Sequence, residues 1–249
     1  MELTITIRKL TWGLSAVAAV FLGASVLGQV GHFVWGWTDV WQVARMTDVG
    51  IEQNLPTYFS LLLILGNVVL LSLIARFRHG QRDAWCWKVL VVGFLYLAFD
   101  EGFHVHENWV HPMRQMLGGD QFGLFYFAWV VPGLLITLMV GITLTGFLWR
   151  LPLAHRIRFL VSAMLFLGGC LGMEMLAGRY LEAHGAVNLA VHLMSDLEEA
   201  LEMAGMIFFM NALCRYLAEF VPDIRVGWRE RAGPPTTIAQ SLGSSRSSP

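Results

Sequence analysis

Six ionisable residues set in or beside apolar sequence could do chemistry: Asp100, Glu101, His104, Glu174, Glu199 and Glu202. The stretch FLYLAFDEGFHVHENWVHP spaces Asp100, His104, Glu107 and His111 at i, i+4, i+7 and i+11, one face of a continuous helix. The stretch VHLMSDLEEALEMAGM puts His192, Asp196 and Glu199 on one face, with Glu198 and Glu199 each within a turn of Glu202. Glu174 is the single acid in the apolar run GCLGMEMLAG. Carboxylates can bridge two cations, and with one or two imidazoles they suit iron, manganese or zinc. The expected metal ligands are therefore Asp100, Glu101, His104, Glu174, Glu199, Glu202 and His192. Glu52, Glu107, Glu198, Asp196 and His32 stand as supporting or alternative ligands.

Glu101 and His104 form a Glu-x-x-His unit, which is similar to the unit that recurs in di-iron carboxylate bundles. That template has two such units and this chain has one, and it lacks the histidine-rich boxes of membrane fatty-acid desaturases. The similarity is one of chemistry. It implies a metal-binding membrane enzyme, with two ions, acting on a lipid-like or small hydrophobic substrate as an oxidoreductase or hydrolase. Chains of acids and histidines also serve proton- or cation-coupled transporters, the alternative reading. No inverted repeat supports it. Haem held by His104 and His192 is a further alternative, which leaves the acids unexplained. A non-catalytic subunit or sensor is also compatible with the sequence. Nothing points to nucleic acid.

Such residues need elements that hold them, and the composition says which. Of the 249 residues 56 % are hydrophobic and 14 % charged, against about 25 % charged in an average soluble domain. The apolar residues come in runs near the ~20 residues that cross a bilayer core. Six spans are expected, at about residues 12–36, 57–77, 85–109, 122–149, 157–180 and 191–220. All should be helices, because a spanning segment must satisfy its own backbone. The fold class expected is thus an all-α transmembrane bundle over residues 1–232, followed by a Gly-, Pro- and Ser-rich disordered tail at 233–249. The first apolar stretch is too long for a signal peptide's core and reads as an uncleaved span.

Charge sets the expected orientation. With both termini cytoplasmic, 14 of the 17 Lys and Arg residues fall on the inner side, leaving Arg45, Arg114 and Arg179 outside. The same orientation places 13 of the 18 acids and six of the eight histidines at the outer end. The expected setting is a multi-pass protein of a bacterial inner (plasma) membrane, with the lipid bilayer as partner. Gln29 and His32 approach the acidic end from the first span, and Glu52 and Asn54 precede Pro56. Glu52 reads equally as a helix cap. His106 and His111 are expected at the outer surface or the mouth of a site. Trp35, Trp37, Trp41, Trp109 and Trp129 fit an interfacial aromatic belt. Cys86, Cys170 and Cys214 lie far apart, with no disulfide or CxxC pattern.

Overall fold

The computed structural model describes residues 7–38, 44–118 and 122–220. The expected tail at 233–249 lies outside them, as does Trp41. Among the described residues all regular structure is helical: α1 (Ile7–Phe33), α2 (Leu55–Phe77), α3 (Ala84–Phe103), α4 (Val105–Leu117), α5 (Val130–Arg150), α6 (Leu153–Leu167), α7 (Glu174–His184) and α8 (Leu189–Phe220). A short 3-10 turn, Gly123–Phe125, precedes α5, and a π-helical segment, Gly168–Met173, joins α6 to α7.

Five helical units are long and apolar enough to cross a membrane: α1, α2, α5, Leu153–His184 and α8. The pair α3 and α4 is long and apolar enough only when taken together, and it bends by 85° at its break, so the bundle has five such units, or six where the bent pair counts as one. The chain is a multi-pass all-α membrane protein. The helices fall near the expected spans, with two clear differences. The third is broken rather than straight, and the fourth begins at Val130, because residues 122–129 form the 3-10 turn and further turns.

Local signals explain where the helices begin and stop. Asn54 caps α2: its side chain accepts the Thr57 N–H, Thr57 answers with its hydroxyl, and Pro56 sits in the first turn. Asn54, not Glu52, is therefore the cap. Leu151, before Pro152, is extended (φ −69°, ψ 146°), which separates α5 from α6. Asn188 Oδ1 accepts the N–H groups of Ala190 and Val191 at the start of α8.

α8 is the axis of the bundle. α1, α2 and α6 pack along it, and α3 packs against α2 and reaches α8 through Trp87 on Tyr216 and Phe94 on Phe209. At the basic end Trp87 is enclosed by Phe147, Phe159 and Tyr216, with ring centroids 4.9–6.1 Å apart. Asp83 there takes a two-pronged contact from Arg150 at 3.1 and 2.5 Å. Midway, Asn67 clamps α2 to α8 by donating to Leu63 O (2.9 Å) and Met206 O (3.1 Å). Apolar side chains that face outward, such as Leu62, Val92, Leu138 and Met164, are the lipid-facing surface of such a bundle. α5 touches the rest through Val130 at one end and through Leu144 and Phe147 at the other, while most of residues 134–143 between them are exposed.

Two glycines set the spacing of α8 from the fifth span. A Cβ on Gly205 would meet Phe166 N at 2.7 Å, and one on Gly169 would meet Glu198 O at 2.7 Å. Hydrocarbon supplies no hydrophobic drive between helices, so close backbone approach is what holds them together.

Candidate functional site

The acidic end is organised by Asp100. Its Oδ1 accepts the His106 backbone N–H at 2.9 Å, and its Oδ2 lies 2.8 Å from His106 Nδ1. These contacts reach six residues ahead, further than a continuing helix places a partner, so α3 ends. His104 becomes the hinge, in the left-handed region at φ 50° and ψ 44°. A non-glycine residue there costs about 1–2 kcal/mol. The Asp100 contacts offset that cost, and a local side-chain-to-backbone bond outcompetes the helix ladder.

The expected face of Asp100, His104, Glu107 and His111 therefore does not form. His104 Nε2 turns to Glu52 Oε2 at 3.0 Å, an ion-pair distance without hydrogen-bond alignment. Glu107 and His111 are exposed on α4. His106, expected at the surface or mouth, takes the place beside Asp100 and packs its ring on Trp129 at 4.8 Å. Trp129 is not merely part of an aromatic belt, since its Nε1 donates to Glu174 Oε1 at 2.9 Å.

Glu174 follows the π-helical segment directly. Single π turns are frequent at functional sites because they re-aim side chains within a helix. Gly169 in that segment admits the α8 turn that carries Glu198 and Glu202. Glu174 and Glu198 face each other closely enough to share a hydrogen bond once one of them carries a proton. Glu202 lies in the fields of Glu199, Glu101, Glu174 and Asp100, and Glu199 in those of Glu101, Glu52 and Asp196. Cys170 joins the same group beside Glu202, Glu198 and Glu174. Asp100, Glu101, Glu174, Glu198, Glu199 and Glu202 are thus gathered on three spans, with Glu52, His104 and His106 at the rim.

Other expected residues go elsewhere. His192 packs on Phe33 (5.2 Å between ring centroids), as does His32 (5.0 Å). Asp196 faces a separate buried group with Ser25, Gln29 and Asp48. Among the described residues, no three His, Cys, Asp or Glu side chains already surround a common point as metal ligands do. A cavity of about 250 Å³ lies at the basic end, lined by Arg78, Asp83, Trp87, Arg150 and Tyr216 among others, and none of the clustered carboxylates lines it.

Sequence reasoning missed Asp48, Ser25 and Glu182, and misplaced His106 and Trp129. Glu182 accepts the N–H groups of Phe122 and Gly123 at 2.6 and 2.7 Å, fixing the 3-10 turn that leads to Trp129. Arg114 braces the same segment through Tyr126 O at 2.9 and 2.5 Å. No local motif announces these contacts, because each joins a helical side chain to the turn at 122–126 from outside its own segment.

Glu52, in the loop before α2, has its pKa pushed up to about 7, first by burial and then by the negative charge of Glu107, Glu101 and Asp100, against an opposing pull from His106. The folded state therefore keeps a proton that the unfolded chain releases near the ordinary value of 4.5. Stability tied to Glu52 is full below that value and falls as pH rises through about 7. Thermal midpoints measured in detergent from pH 5 to pH 8 should fall more steeply for the native chain than for Glu52→Gln. Parallel slopes would remove Glu52 from the pH response.

No curated protein and no solved structure matches the chain. A family described as a domain of unknown function, DUF8692, matches residues 14–217, which take in the helical bundle and every carboxylate of the site. The chain belongs to the DUF8692 family.

Proposed function

We propose that the chain is a metal-binding membrane protein whose carboxylate cluster holds divalent ions, two in the simplest arrangement, and that it acts as an enzyme on a lipid-like substrate. The observation that carries this reading is the convergence of Asp100, Glu101, Glu174, Glu198, Glu199 and Glu202. The charges that act most strongly on Glu101, Glu198, Glu199 and Glu202 are other carboxylates and His106, with no Lys or Arg among them. Protons can relieve part of that repulsion, for instance one shared by Glu174 and Glu198. Metal ions relieve it too, and oxygen-rich ligands with one or two imidazoles suit iron, manganese or zinc.

Metal loading requires these long side chains to turn toward common centres. Glutamate does this readily, and each of the five glutamates keeps part of its surface accessible. His106, held by Asp100, is the imidazole best placed to join, with His104 at the opposite rim. The bound ions would polarise a substrate oxygen or activate water or dioxygen. The middle of α5 stands clear of the bundle, which offers an alkyl chain a lateral approach from the hydrocarbon. A transmembrane proton or cation path fits less well: Asn67 is consumed in clamping α2 to α8, and the basic end is plugged by Trp87 and its aromatic neighbours.

The test is metal content of the full chain purified in mild detergent. About two equivalents of iron, manganese or zinc are expected, the stoichiometry of a two-metal site. Glu101→Ala and Glu199→Ala should each abolish retention. Full occupancy in both variants would refute the reading.

A further inference from the structure

One turn from the carboxylate cluster lies a second polar group with a different composition. Ser25 and Gln29 on α1, Asp48 in the following loop and Asp196 on α8 are all buried, at 0–4 % exposure. Gln29 Nε2 is the hub. It donates toward Asp196 Oδ1 (3.1 Å), Asp48 Oδ1 (3.2 Å) and Ser25 Oγ (3.2 Å). The Ser25 hydroxyl donates to Asp196 Oδ1 at 2.7 Å, lies 3.4 Å from Asp48 Oδ1, and accepts the Val49 N–H at 3.2 Å. Asp48 Oδ1 also takes the Gly50 N–H at 3.0 Å.

That exhausts the donors and leaves three acceptors over. Asp48 Oδ2, Asp196 Oδ2 and Gln29 Oε1 are each buried with no hydrogen-bond partner. All three belong to groups whose other polar atoms already meet at one point. Among the described residues, the hydrogen bonds just named involve no Lys, Arg or His. One shared proton would serve the two carboxylates and leave the amide oxygen as it is. A cation would serve all three.

The structure points to a hard divalent cation, calcium in kind, held by Asp48, Asp196 and Gln29 with Ser25 orienting them. Two carboxylates balance its charge, and the third ligand is an amide carbonyl. Calcium accepts oxygen ligands of this mixed type in loose geometry and completes its shell with water, whereas magnesium demands a stricter octahedron. The soft or imidazole-rich ligands that iron or zinc prefer are missing from the group, so the site is chemically distinct from the carboxylate cluster. Its place suggests its effect. Asn54 pins the loop at Arg45 O (3.1 Å) and Asp48 O (2.5 Å), and Gly50 lies against Ser195 on α8, so the ion would lock the loop carrying Glu52 onto α1 and α8.

The test is equilibrium dialysis of the full chain in detergent against radioactive calcium, with the thermal midpoint measured alongside. One saturable equivalent is expected, with a calcium-dependent rise in the midpoint. Asp196→Asn and Asp48→Asn should each weaken calcium binding by more than roughly tenfold, while Glu202→Gln should leave it in place. Using both aspartate variants guards against one failing to fold. Absence of saturable calcium binding in the native chain overturns the site. So does binding that Glu202→Gln removes and the aspartate variants retain, since that calcium belongs to the carboxylate cluster. Absence of iron, manganese and zinc from the native chain with calcium bound would instead count against the cluster alone.

Discussion

Gly205→Ala is expected to destabilise the bundle by about 1–3 kcal/mol, the usual cost of forcing an extra methyl into a packed interface. The new Cβ would sit 2.7 Å from Phe166 N, 2.9 Å from its Cβ and 3.0 Å from its Cα. These are backbone or backbone-proximal atoms, so they cannot swing away, and α6 must separate from α8. Separation would also carry the π-helical segment and Glu174 away from Glu198. The matched control is Gly66→Ala. Its Cβ would meet Met210 Cε at 2.6 Å, but that atom ends a flexible side chain and can move. Thermal unfolding in detergent should therefore show a clear loss for Gly205→Ala and little change for Gly66→Ala. Equal midpoints would mean the fifth span and α8 can part at no cost, and close packing would not be what joins them.

The same contrast shows what the sequence could and could not disclose. A helical bundle of about six spans was legible because hydrocarbon imposes a length and an apolar composition on each crossing. The convergence of Glu101, Glu174, Glu199 and Glu202 was legible because acids inside apolar runs are costly and charge bias fixes which end they share. Helical spacing failed at one place, the run from Asp100 to His111. There a side chain captured a backbone N–H six residues on, and periodicity assumes that no such capture occurs. Asp48 was illegible for another reason. It sits in a loop, where a solvated acid is the ordinary case, and only the fold carries it under α1 against Asp196. Glu52 was half-legible: the acid before Pro56 was noticed, but its role turned on the His104 hinge. Gln29 was visible as a polar residue in the first span, though nothing in the sequence named its partners.

The hinge yields the second prediction. Asp100→Ala should cost about 1–3 kcal/mol, because the His106 N–H and ring nitrogen lose their acceptor in a half-buried setting. The larger consequence is geometric. Without that anchor nothing offsets the left-handed backbone at His104, and α3 is free to run on as the continuous helix its spacing favours. His104 would then rotate away from Glu52, and His106 away from Trp129 and the carboxylates. Asp100→Asn separates the two effects. Its amide oxygen can still accept the backbone N–H, and its amide N–H can donate to a neutral His106 ring, so the bend persists while one charge is lost. The expected order of thermal midpoints is native, then Asp100→Asn, then Asp100→Ala. Metal retention should fall most in Asp100→Ala, and His106→Ala should retain less metal than the native chain while losing less stability than Asp100→Ala. If Asp100→Ala matches the native chain in both midpoint and metal content, the bend does not depend on Asp100. The site would then have to be reassigned to the glutamates of α8 and the fifth span alone.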